Sequence, residues 1–244
     1  MTNNAKIYIF LVSAVGIAAM ASAFAHLQWP HDPLRSCTYF LLSLLAATLK
    51  LRLPGLTETM SIGFVLVLLG ISELTLPETM LVACAGVVMQ CLWRAKRRPT
   101  PAQVLFSVSA VAISLTLAYE CSQFVRTQFH AESISVVLAL ATCLYFMTNS
   151  LLVSGVLSLV KRQPMSAVWQ QNYLFAFPYY LLGGAVAGLM AASGRDLGWK
   201  PPLMILPVMG LVFLFYRFYL DRLAIPLAVA GTARSLLTVE PRST

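Results

Sequence analysis

Charge is what this sequence lacks most. Only 11% of its 244 residues are Asp, Glu, Lys or Arg, 59% are hydrophobic, and mean hydropathy is +0.77. Soluble domains carry about 25% charged residues, so a soluble fold is excluded: the polar residues are too few to cover its surface. Acidic residues are the scarcer sign, nine against 17 Lys and Arg. The resulting +8 does not point to nucleic acid, because no basic patch interleaves with stacking aromatics. Cysteines number five (Cys37, Cys84, Cys91, Cys121, Cys143), an odd count with no CxxC spacing. That pattern offers neither a disulfide framework nor a zinc site, and packed thiols are expected. HExxH, GxSxG, P-loop and dinucleotide signatures are all missing. No catalytic residue, cofactor or metal is therefore expected, and the chain reads as a non-enzyme.

What the sequence has is long apolar runs. Eight are present: Ile7–Ala25, Ser36–Leu49, Ser61–Leu76, Met80–Trp93, Val104–Cys121, Ser133–Val160, Tyr173–Ala192 and Leu203–Tyr219. The third and fourth, joined by a Pro-Glu turn and closed by Arg94, Lys96, Arg97 and Arg98, read as a hairpin of spanning helices. Placing that basic cluster in the cytoplasm and alternating from it assigns 13 Lys and Arg to inner segments. Four fall outside: Arg35, Arg126, Arg195 and Lys200. The opposite orientation would invert this bias. The expected fold is an all-α polytopic membrane bundle of about eight transmembrane helices, with both termini cytoplasmic, in the plasma (inner) membrane. The first run, with Ala21-Ser22-Ala23 near its end like a cleavage site, superficially resembles a signal peptide, but it is long for one and further spans follow.

Run length adds detail. The second and third runs are short for a bilayer, which takes about 17–25 residues. A re-entrant hairpin is the alternative, but it would bury Lys50 and Arg52 at roughly 2.5–3.5 kcal/mol each. Two short crossings, with the LRLPGLTET link at the inner surface, are preferred. The sixth run is long, about 42 Å as a helix. It either tilts and projects into the cytoplasm, or breaks near Thr148-Asn149-Ser150 or Ser154-Gly155. In the seventh, Pro178 is expected to bend the helix. Gly184 and Gly188 form a GxxxG face for close approach of a helix of the same chain or of a second copy.

Polar groups within apolar runs are the candidates for function, because burying them costs energy unless they are partnered. Glu73, Gln90, Trp93, Tyr145, Asn149, Tyr173 and Tyr179 are the candidate ligand-pocket residues. Snorkelling, interhelical hydrogen bonds and interfacial belts are the competing structural explanations. His26, His31 and His130 fall in expected outer loops near Asp32, Glu120 and Glu132, with no metal-ligand spacing.

The segments LRLPGLTETMSIGF, ISELTLPET, QCLWRAKRRP, FMTNSLLVSGVLSL, FAFPYYLLGGAVAGL and FYRFYLDRL carry a family resemblance. In this order, from about residue 45 to residue 223, the chain resembles the MASE-type N-terminal membrane sensor region of bacterial HD-GYP and GGDEF signalling proteins. The resemblance implies a helical bundle that senses a ligand or membrane state and transmits to cyclic-di-GMP turnover. It departs after Leu223, where AIPLAVAGTARSLLTVEPRST stands in place of a signalling helix and catalytic domain.

The expected division is a membrane-embedded sensor-like domain, 1–223, and a short cytoplasmic tail, 224–244. The expected function is non-catalytic perception relayed through the last helix, Tyr216–Leu223. A small-solute carrier, or the substrate-binding membrane component of an uptake system, is the alternative, since broken helices with midplane polar groups suit transport. Expected partners are the lipid bilayer, a second copy of the chain and a signalling enzyme in trans, with no nucleic acid.

Overall fold

In the computed structural model the described residues are 3–25, 32–48, 50–52, 59–61, 63–93, 98–128, 134–173, 176–193, 203 and 207. The chain divides into two compact units, Met1–Ile205 and Leu206–Thr244, and every element below belongs to the first. The elements are α1 (Asn3–Ala25), α2 (Pro33–Thr48), β1 (Lys50–Arg52), β2 (Thr59–Ser61), α3 (Gly63–Glu73), α4 (Leu76–Leu92), α5 (Pro101–Gln128), α6 (Ile134–Lys161), α7 (Met165–Asn172) and α8 (Phe177–Ser193). Seven of the eight apolar runs become helices, α1 to α6 and α8. The eighth run apart from residues 203 and 207, the basic residues at 94, 96 and 97, the three histidines and Tyr216–Leu223 lie outside the described residues.

The all-helical expectation needs one amendment. The link between α2 and α3 holds a two-stranded antiparallel hairpin, with Lys50 opposite Ser61, Leu51 opposite Met60 and Arg52 opposite Thr59. Pro54-Gly55 between them is a turn signal.

Three described helices are long and apolar enough to cross a membrane: α1, α5 and, from Val136, α6. The others are shorter, and α3 has only 11 residues, a rise of about 16 Å against a hydrocarbon core of about 30 Å. Yet α3 is the centre of the bundle. Phe64 through Ile71 are all buried, and Leu66, Leu68, Leu69 and Ile71 are within 1% of complete burial. A helix apolar on every face belongs inside, and α2, α4, α5, α6 and α8 pack around this one.

Of the two alternatives for the sixth run the unbroken helix is found, and the bend expected at Pro178 is absent. Helix α6 runs unbroken from Ile134 to Lys161. Its Ser150 hydroxyl turns back onto the Met147 carbonyl (3.2 Å), so the polar triplet 148–150 is absorbed within the helix. Nor does Pro178 bend a helix: it is the second residue of α8, where no N–H is required for the helical ladder. The short helix α7, Met165–Asn172, lies between the sixth and seventh apolar runs, ahead of α8.

Without water between helices, association in lipid relies on close packing and interhelical hydrogen bonds. Both occur here. Helix α8 runs antiparallel to α6, with Tyr180 on Phe146 (ring centroids 4.8 Å), Gly184 on Thr142 and Gly188 on Leu138. Gly16 of α1 meets Ser109 of α5. The Tyr8 hydroxyl donates to the Leu152 carbonyl (3.1 Å), tying α1 to α6. Ser43 donates to the Val82 carbonyl (2.8 Å), tying α2 to α4, and the Trp169 indole N–H donates to Ser150 (3.0 Å), holding α7 on α6.

Candidate functional site

A cluster of charged and hydroxyl-bearing residues lies at one end of the bundle, where α2 and α4 begin and α3 and α5 finish. Pro77 and Glu78, which separate the third and fourth apolar runs in the sequence, lie in the first turn of α4 at this end. Asp32 accepts from the Arg35 backbone N–H (3.1 Å) and opens α2. One turn in, Arg35, Ser36 and Tyr39 share the face that looks toward α3 and α4. Helix α3 closes on Glu73, the Leu74 N–H bonding the Gly70 carbonyl (2.8 Å). Thr75 then caps α4, and Glu78, three residues on, reaches back to accept from the Thr75 N–H (2.9 Å) and from its hydroxyl (2.7 Å). This is the capping-box relation, and Pro77 in the first turn is compatible with it.

Two carboxylates organise the cluster. Glu73, its side chain only 8% exposed, forms an ion pair with Arg35 and accepts a hydrogen bond from the Tyr39 hydroxyl (2.7 Å). Glu78, also buried, accepts from the Ser36 hydroxyl (2.5 Å) as well as from Thr75. Burial would push the Glu78 carboxyl up. The bonds from Ser36 and Thr75 and the Arg35 charge outweigh that and hold it below the ordinary glutamate range. Between these groups lies a half-open cleft of about 290 Å³, lined by Asp32, Arg35, Ser36, Glu73, Glu78 and, from α5, Gln123 and Arg126, among others.

The sequence candidates do not assemble into one pocket. Only Glu73 is in this cleft. Gln90 and Trp93 stand at the far end of α4, about 20 Å away by helical rise, with Trp93 40% exposed. Tyr145 and Asn149 lie along α6, Tyr145 buried and Asn149 half-buried. Tyr173 is buried with Phe146 and Ala176 in an apolar cluster that Trp169, Phe177 and Tyr180 complete. The side chain of Tyr179 lies outside the described residues. Pro178 starts α8, Gly184 sits against Thr142 and Gly188 faces Leu138. Arg35, Ser36, Tyr39, Glu78 and Arg126 were missed. The Arg35/Ser36/Tyr39/Ser43 spacing in an apolar run and the Thr75-Leu-Pro-Glu78 pattern were the available signals. Among the described residues no group of His, Cys, Asp and Glu is arranged to hold a metal.

No curated protein and no solved structure matches the chain. The MASE9 family matches it over residues 38–182, well over half its length, a span from α2 into α8 that takes in Tyr39, Glu73, Glu78 and Arg126. The chain belongs to the MASE9 family, a MASE-type family of membrane-associated sensor domains.

Proposed function

We propose that this chain is a multi-pass, non-catalytic sensor of the plasma (inner) membrane that reads its stimulus at the Arg35–Glu73 cluster. The relay runs through the last apolar run to Tyr216–Leu223 in the cytoplasm, toward cyclic-di-GMP turnover by a signalling enzyme in trans, with a second copy of the chain as a further partner. One observation carries this reading: the cleft is built from the ends of four helices and straddles the bend between α3 and α4. Glu73 and Glu78, on either side of that bend, are held by different partners, Arg35 with Tyr39 and Ser36 with Thr75. A stimulus that loosens one set re-aims the central helix α3. It can shift the balance only by favouring one arrangement over the other.

Spin labels placed in residues 216–223 of the full chain, reconstituted in bilayers, test this. Glu73→Gln, which loosens the hold on Arg35, is expected to change their mobility, whereas Gln90→Ala at the far end of α4 is not. Identical spectra for wild type and Glu73→Gln would overturn the relay.

A further inference from the structure

Hydrogen-bond accounting inside the cleft leaves a specific remainder. Each carboxylate is held through at least one oxygen: Glu73 by Arg35 and Tyr39, Glu78 by Ser36 and Thr75, and Asp32 by the Arg35 N–H. The donors are not all engaged. Arg35 spends Nη2 on Glu73, but its Nε is buried with no partner. Arg126 lines the same cleft and has no hydrogen bond or ion pair among the described residues. A buried N–H without an acceptor is rarer and costlier than a spare lone pair on a carboxylate. Two guanidinium groups from different helices, α2 and α5, thus line a cleft of about 290 Å³ with donor capacity to spare.

We infer that the cleft receives a small oxyanion, a carboxylate or phosphate group, between the Arg35 and Arg126 guanidinium groups that line it. The planar fork of Arg suits such a group better than any other cation does. The volume lies at the lower edge of small-molecule sites, so the ligand has only a few heavy atoms in the cleft. Asp32, Glu73 and Glu78 on the same lining oppose each further negative charge, so carboxylates, phosphodiesters and singly charged phosphate are favoured over polyanions. The inference rests on the cluster being the sensory site. A free metabolite and a lipid headgroup both offer this chemistry.

Thermal unfolding of the full chain in dodecyl maltoside tests it, at ionic strength held constant with sodium chloride. The probes are lactate, inorganic phosphate, phosphatidylglycerol and, as cation control, choline. Lactate or phosphate stabilising the protein identifies a free anion; phosphatidylglycerol alone doing so identifies a headgroup. Arg126→Gln is expected to weaken the effective probe by about tenfold or more, the loss of a charge-assisted bond. Arg126→Lys, which keeps the charge without the fork, weakens it less and serves if the first variant misfolds. Glu73→Gln, which removes an opposing charge and frees Arg35, tightens it severalfold. A residue that only props up the fold would not produce opposite signs in these variants. No response to any anion, a response to choline instead, or wild-type binding by Arg126→Gln would overturn the site. Anion binding with unchanged labels at 216–223 would instead overturn the relay and leave the site standing.

Discussion

At the scale of single residues, the molecule hinges on a charge pair that is only partly wet. Glu73 is nearly buried, while Arg35 keeps 26% of its side chain exposed. Removing one partner of such a pair is worse than removing both, because the survivor is left charged and desolvated. Arg35→Ala is expected to cost about 2 kcal/mol in thermal unfolding, after allowance for that exposure. Arg35→Met with Glu73→Met should recover most of it. Glu78 gives a second prediction. Its carboxyl ionises more readily folded than unfolded, so its contribution is complete above the ordinary glutamate value of 4.5. That contribution is lost as the pH falls below 4.5 through the lower native value. Melting temperature followed from pH 6 to pH 3 should fall more steeply for wild type than for Glu78→Gln. Glu73 was legible in the sequence as a carboxylate inside an apolar run. Its cation was not, because Arg35 lies 38 residues away, beyond any local pattern.

At the scale of elements, close approach of helices separates glycines that look alike in the sequence. Gly184 and Gly188 form one GxxxG motif, yet an added Cβ at Gly184 would come within 2.4 Å of the Thr142 hydroxyl oxygen, and at Gly188 no nearer than 3.9 Å to Leu138. Gly16, which no motif singled out, is the tightest against backbone: its Cβ would lie 2.5 Å from the Ser109 Cα. Gly16→Ala is therefore expected to destabilise by about 1–3 kcal/mol, through forced separation of α1 and α5. Gly184→Ala should cost less, since a threonine side chain gives more easily than backbone. Gly188→Ala should be neutral or slightly stabilising, a gain of helix propensity without a clash. Thermal unfolding of the three variants in one detergent checks the order. Helix positions were legible because apolar length is a local property. The unbroken α6 and the displaced role of Pro178 were not: a polar triplet can stay helical when its side chains bond their own turn, and proline is harmless once the helix starts beside it.

For the whole molecule, the proposed orientation puts the charged cleft outside and the basic segments within the cell. With the five native cysteines replaced by serine, Gln128→Cys at the exposed end of α5 should react with a membrane-impermeant maleimide in intact cells. Thr100→Cys, exposed just before α5 begins, should react only after permeabilisation. The reverse pattern would invert the map and the cleft with it. Composition and the distribution of Lys and Arg were sufficient, by themselves, to determine a membrane-associated helical chain and the boundaries of most of its helices, because hydrophobicity and loop charge act residue by residue. Only tertiary structure decided that α3 is central, that Arg35, Glu73, Glu78 and Arg126 share one cleft, and that Gln90 and Asn149 do not. Those are properties of distance between helices, and an ion pair or a cavity exists only once segments far apart in the chain have packed.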